Sequence, residues 1–253
     1  MKQSQFYYLL RRGLFSAGSA IIKNGLVMFN KFTTAGLNFP AQGSAEFDGA
    51  SDYIQLNDPF SYTNHTIAAW VYPNGAGSTM YFFDNRDTGD DGVLVSHWSN
   101  NTILYQLNGN NIFSTNTFNN EWVFVVATYD GTTQKLYFDG SLEGSSNTSK
   151  TINVEINARI GAESYSLGNY FNGNLANVAI WNRALSSDEI NSVMWKSYEA
   201  LSGAESNGLQ AWYALDDITS PAASLANMEQ LATDKNATIE NTAAITAAIN
   251  SLS

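Results

Sequence analysis

Between Ser44 and about Ala214 the chain alternates short apolar runs with clusters of Gly, Asn, Asp and Ser. Runs rich in Val, Ile, Phe, Tyr and Trp and bounded by turn formers predict β-strands. The pattern places them at Ala45 to Phe47, Tyr53 to Leu56, Thr66 to Tyr72, Met80 to Asp84, Val93 to His97, Ile103 to Leu107, Trp122 to Tyr129, Gln134 to Phe138, Ile152 to Val154 and Leu175 to Trp181, with Leu209 to Leu215 as a closing strand. In Trp122 to Tyr129, Trp122, Phe124 and Val126 fall on one face and Val123, Val125 and Ala127 on the other. Both faces are apolar, which predicts a central strand covered on both sides. Many short strands separated by Gly, Asp and Asn turns indicate a sandwich or barrel, not a βαβ fold. Twenty-nine asparagines suit such a turn-rich chain, since Asn tolerates left-handed backbone angles.

One helix interrupts the strands. Ser186 and Glu189 have capping-box spacing and open a run in which Ile190, Val193, Met194 and Ser197 share a face. This predicts a short capping helix across the sandwich. Trp70, Trp122, Trp181 and Trp212 fall inside strands and are expected to pack in the interior. Beyond Asp217 the composition becomes Ala-rich, and Leu225, Met228, Ile239, Ile245, Ile249 and Leu252 recur at near-helical spacing, predicting short helices in a tail over 218–253.

The 253 residues, 44% of them hydrophobic and 13% aromatic, suffice for one sizeable core. No apolar run approaches the roughly 18 to 20 residues that a membrane-spanning helix needs. Zero cysteines exclude a disulfide scaffold, a thiolate zinc site and a cysteine nucleophile, and only His65 and His97 remain as imidazole bases. The charge is uneven. Lys2, Arg11, Arg12, Lys23 and Lys31 all precede the first acid, Glu46, whereas all 23 Asp and Glu face the remaining basic residues. A basic arm over 1–43 on an acidic body predicts docking of the arm on something negative. Gly13 to Ile22 follows Arg11 and Arg12 as a signal peptide would, but Phe6 to Leu10 put apolar residues ahead of the arginines and Gly and Ser dilute the second stretch. The expectation is therefore a retained leader.

Four motifs carry a family resemblance. EWVFVVATYDGTTQKLYFDGSLEGS (Glu121 to Ser145) combines a Trp-led strand, a YDGT turn and a strand ending in DG; FDGASDYIQL (Phe47 to Leu56) gives an early strand pair; IGAE and FNGNLANVAIWNRALSSDEI fall between Ile160 and Ile190; and NGLQAWYALDD (Asn207 to Asp217) gives a closing strand. Together they resemble the laminin-G-like domains of the concanavalin A-like lectin/glucanase superfamily. The resemblance implies an all-β, two-sheet antiparallel jelly-roll sandwich over 44–217, with one short capping helix, the N-terminal arm and the Ala-rich tail outside it. Two stretches depart from the usual pattern: Asn174 to Asn177 stand where an Asp usually follows the FNG-type turn, and Val123 and Phe124 stand where two His often follow the Trp. Such a fold implies no activity by itself.

The superfamily's β-glucan-cleaving members carry an E-x-D-x-(x)-E strand, and this chain has none; Glu155 and Glu163 are its nearest acidic neighbours, and no G-x-S-x-G elbow occurs. The expectation is a protein that is not an enzyme. The loop Asp84 to Gly92 holds Asp84, Asp87, Asp90 and Asp91. Such density must be solvated, paired with Arg86, or neutralised by calcium, an ion that takes six to eight oxygens; the resemblance implies a rim Ca2+ there. For sugar binding, an exposed aromatic plate beside amide groups is needed. His97, Trp98 and Asn100 form one such set, and Tyr165, Asn169 and Tyr170 another. The acidic body would repel nucleic acid. The resulting expectation is a lectin-like domain on a virion surface, as capsid decoration or fibre in an oligomeric assembly, anchored to other virion proteins by its arm and touching host-surface glycans. A secreted or cell-surface bacterial carbohydrate-binding or adhesion module is the alternative, and a glycoside hydrolase the third reading.

Overall fold

Strand alternation builds the architecture. In the computed structural model, which describes residues 44–75, 77–87, 90–215 and the backbone of 237–240, the strands are β1 (Ala45–Asp48), β2 (Tyr53–Leu56), β3 (His65–Pro73), β4 (Met80–Asp84), β5 (Val93–His97), β6 (Ile103–Leu107), β7 (Asn110–Phe113), β8 (Val123–Tyr129), β9 (Thr133–Phe138), β10 (Ser141–Asn147), β11 (Arg159–Ile160), β12 (Asn172–Trp181), β13 (Leu209–Tyr213) and β14 (Ala237–Glu240). The arm residues Lys2, Arg11, Arg12, Lys23 and Lys31 lie outside the described residues. All pairings are antiparallel and form two seven-stranded sheets. The first runs β1-β12-β3-β8-β9-β10, with β13 continuing the line of β1 along β12; the second runs β14-β2-β11-β4-β5-β6-β7. The jelly-roll sandwich expected from the sequence is the fold observed.

Between the sheets, Val123, Val125, Ala127 and Tyr129 of β8 share one buried cluster with Phe82, Val93, Val95 and Tyr105 of the second sheet. The other face of β8 is covered too, as its double apolar pattern requires. There Trp70 packs on Phe124 and Trp195, each with ring centroids 5.3 Å apart, and its Nε1–H donates to the Met194 carbonyl at 3.1 Å. Met194 caps the helix α1 (Ser187–Val193), which starts at the predicted capping box of Ser186 and Glu189. A second short helix, α2 (Gly203–Ser206), has its own capping box, and its Glu205 carbonyl accepts from Trp181 Nε1 at 2.7 Å. Among the described residues no helix is long and apolar enough to cross a membrane.

His65 ties the two layers together. Its Nδ1 lies 3.2 Å from the Tyr62 carbonyl and its Nε2 2.7 Å from the Tyr105 hydroxyl. A carbonyl only accepts, so Nδ1 carries the proton and Nε2 accepts from Tyr105. The Asn108–Gly109 turn joining β6 to β7 has φ of 42° and 76°, the left-handed pair that a tight hairpin demands.

Four local differences from the sequence expectation have physical causes. Ile152 and Val154 are buried, but their segment is a loop that contributes side chains without joining a ladder. The polar strands β7 and β10 form from pairing alone, without the apolar alternation that signals a strand. Trp122 stands just ahead of β8, half-buried against Tyr72 with ring centroids 5.6 Å apart. The tail contributes a strand, β14, at residues where near-helical spacing predicted helix.

Candidate functional site

The outer face of the second sheet carries the site. On β2, Ile54 and Leu56 enter the core, which turns Tyr53 and Gln55 outward; on β11, Ile160 enters and Arg159 faces out. In β4 the register shifts between Tyr81 and Phe83, so that Phe82 and Phe83 both reach the core and Asp84 is turned out, opposite Arg159. Arg159 is held from three sides. Its Nε–H donates to Gln55 Oε1 at 2.7 Å, Nη1–H donates to the Glu163 carbonyl at 2.5 Å, and the guanidinium lies 5.2 Å from the centre of the Tyr53 ring. These groups border an open cleft of about 410 Å³ lined by Gln55, Asp87, Asn157, Arg159, Ser164 and Tyr165, among others. Tyr165 is 49% exposed at its mouth.

A buried ion pair fixes the floor. Arg86 Nε–H donates to Asp84 Oδ1 at 2.8 Å and Nη1–H to Gln106 Oε1 at 2.8 Å, while the guanidinium covers the Tyr81 ring at 5.2 Å. The other Asp84 oxygen accepts from the Ser164 N–H at 2.8 Å, and the Ser164 hydroxyl donates to the Asp84 carbonyl. The loop bearing Tyr165 is thereby pinned to β4. Burial raises the Asp84 carboxyl above its ordinary range even with Arg86 beside it. For Arg86, burial pulls the pKa down, but the attraction to Asp84 overrides it and holds the guanidinium firmly charged.

The structure gives the four aspartates of the acidic loop different surroundings. Asp84 is fully buried on Arg86; Asp90 Oδ1 accepts from Gln106 Nε2 at 3.1 Å; Asp87 borders the cleft; and Asp91 is exposed. Among the described residues no three His, Asp or Glu side chains converge as a metal site. The two predicted aromatic sets fare differently. Tyr165 lines the cleft, Tyr170 packs on Tyr53 at 6.4 Å, and Asn169 Nδ2 donates to Glu163 Oε2 at 3.4 Å, so this loop belongs to the site. His97 is buried edge-on to Phe118, its Nε2–H donating to the Phe118 carbonyl at 3.1 Å. Trp98 packs on Tyr81, Leu94 and Leu104 and stands edge-on to Phe113. Asn100 Oδ1 accepts from the Thr102 hydroxyl and N–H at 2.6 and 3.1 Å, closing its own turn. Sequence reasoning missed Gln55 and Arg159. The outward positions of Tyr-Ile-Gln-Leu on β2 were the available signal for Gln55, whereas nothing local marks Arg159.

A two-sheet sandwich with a polar, aromatic-edged cleft on one outer face defines a lectin-like β-sandwich. Residues 48–191 match the profile of the concanavalin A-like lectin/glucanases superfamily, laminin G type, and the chain belongs to that family. No curated protein sequence gives a significant match. Among solved structures, a protein of Bacteroides ovatus ATCC 8483 assigned as carbohydrate-binding is similar with a TM-score of 0.59 at 17% identity, covering 71% of this chain and 53% of that one. This chain thus spans about half the length of that protein. The heptameric SAP-like pentraxin of Limulus polyphemus is similar with a TM-score of 0.51 at 18% identity, covering 62% and 88% of the two chains. The CBM40 module of the Ruminococcus gnavus IT-sialidase is similar with a TM-score of 0.51 at 15% identity, covering 61% and 97%. At these identities the likeness concerns the fold.

Proposed function

We propose that this protein is a non-catalytic, lectin-like glycan-binding protein whose site is the cleft at Arg159. The observation that carries this reading is the mixture of groups fixed around one open space: the Arg159 guanidinium, the Gln55 and Asn157 amides, the Asp87 carboxylate and the exposed Tyr165 ring. Sugar hydroxyls both donate and accept, and sugar rings present an apolar face, so donors, acceptors and an aromatic edge together suit them. A glycosidase would need a pair of carboxylates flanking the bond it cleaves, and Asp84, the acid opposite Arg159, is fully buried and committed to Arg86. The similar structures assigned to carbohydrate binding support the same reading. On a glycan array the full-length protein should retain specific glycans, and Arg159→Ala should weaken the strongest by at least about tenfold, roughly 1.4 kcal/mol, without lowering the urea midpoint. Silence across the array, or equal binding by the variant, would overturn the reading.

The setting we infer is a virion surface, with the sandwich facing outward and the basic arm gripping an acidic assembly partner. It is supported by charge: five basic residues, Lys2, Arg11, Arg12, Lys23 and Lys31, precede every acid of a chain whose net charge is −11. Reversing these five to Glu should release the protein from its particle while leaving glycan retention intact. Unchanged particle association would refute the anchor, and recovery of the natural protein free in culture medium would assign it to the secreted or cell-surface class.

A further inference from the structure

The cleft depends on β2, and β2 is weakly held on its inner side. Its neighbour there, β11, is a strand of only two residues, Arg159 and Ile160. The Leu56 N–H reaches the Ala158 carbonyl on that side at 2.9 Å. Donors alternate between the two edges of an antiparallel strand, so the N–H groups of Tyr53 and Gln55 face the opposite edge. That edge is filled by β14, with Thr238 opposite Gln55 and Glu240 opposite Tyr53. Tyr53 and Gln55 are also two of the three groups that hold Arg159, one beneath its guanidinium and one on its Nε–H.

We propose that the tail strand β14 is a strap that fixes the glycan cleft by holding β2 from its outer edge. With β14 docked, the backbone at Tyr53 and Gln55 is paired on its outer side and both side chains are kept in register under Arg159. With β14 displaced, β2 becomes an edge strand anchored by the two residues of β11 and by the Gln55 side chain on the Asn157 and Ala158 carbonyls, and of the three supports of Arg159 only the Glu163 carbonyl stays independent of β2. Linkage makes the effect reciprocal: a ligand that needs Arg159 in place favours the docked tail to the same degree that the docked tail favours the ligand. The consequence for binding rests on the cleft being the glycan site; the mechanical coupling of tail to Arg159 does not.

The coupling is tested by hydrogen exchange in full-length protein, followed by NMR at the Tyr53 and Gln55 amides and at the Arg159 Nε–H. Thr238→Pro removes a ladder N–H and clashes with pairing. It should speed exchange at both amides by at least about tenfold and also speed exchange at the Arg159 Nε–H, while Val125 and Val126, in the middle of the other sheet, stay protected. Unchanged exchange at Tyr53 and Gln55 would overturn the proposal, as would open amides with an unaffected Arg159 Nε–H. If Val125 and Val126 lose protection, Thr238→Gly is judged by the same criteria. No glycan enters the measurement, so its failure would leave the glycan-binding reading standing.

Discussion

Replacing Arg86 by alanine should destabilise the protein by about 3 to 5 kcal/mol, the usual cost of leaving one member of a buried ion pair without its partner. Asp84 is fully buried, and its carboxylate is already pushed toward neutrality by burial with Arg86 in place. Without the guanidinium it keeps the Ser164 N–H at 2.8 Å but loses its counter-charge. Gln106 loses a donor, and the Tyr81 ring loses its cover. Urea denaturation measures the effect. Removing both members, in Asp84→Ala combined with Arg86→Ala, should cost less than the sum of the single changes, because the uncompensated charge is gone. A loss below about 1 kcal/mol for Arg86→Ala would mean that the pair does not hold the cleft floor.

The second large effect is acid lability centred on His65. Burial holds its pKa down to about 4, against an ordinary value of 6.5. As pH falls below 6.5 the unfolded chain takes up a proton that the folded ring refuses, because burial disfavours the charged ring and outweighs the Tyr62 carbonyl that favours it, while Nε2 is occupied in accepting from Tyr105. Stability is therefore fully present above the ordinary imidazole range and is lost progressively down to about pH 4, by about 3 kcal/mol in all. Burial lowers the His97 pKa as well, which adds in the same direction. The capping carboxylates Glu189 and Glu205, both held down to about 2, lose their contribution only below 4.5, so the two windows separate. Unfolding free energies measured from pH 7 to 4 should show this decline, and His65→Gln should flatten most of it. An equally steep decline in the variant would place the acid sensitivity elsewhere.

Much of the fold was legible because apolar alternation reports burial directly. The two apolar faces of Val123 to Tyr129 required cover on both sides, and the second sheet and the Met194–Trp195 segment provide it. The capping box at Ser186 marked the start of α1 within a residue. Strands such as β7 and β10 were hidden because their partners, not their own side chains, make them strands. The site was half legible. Tyr165 to Tyr170 announce themselves as an aromatic and amide loop, whereas Arg159 acquires its meaning from Gln55, 104 residues away. The acidic loop was partly legible for a related reason. Local sequence offers Arg86 as a counter-charge for four aspartates, and the register shift in β4, which turns Asp84 out toward Arg86, shows which of them it takes.

An NMR titration of isotopically labelled full-length protein with its strongest array ligand tests the account most directly. Shift changes should centre on Gln55, Asn157, Arg159 and Tyr165, with the Arg159 Nε–H moving at the same ligand concentrations. Changes confined to the Trp98–Asn100 turn, or to the face of the other sheet beneath α1, would contradict it.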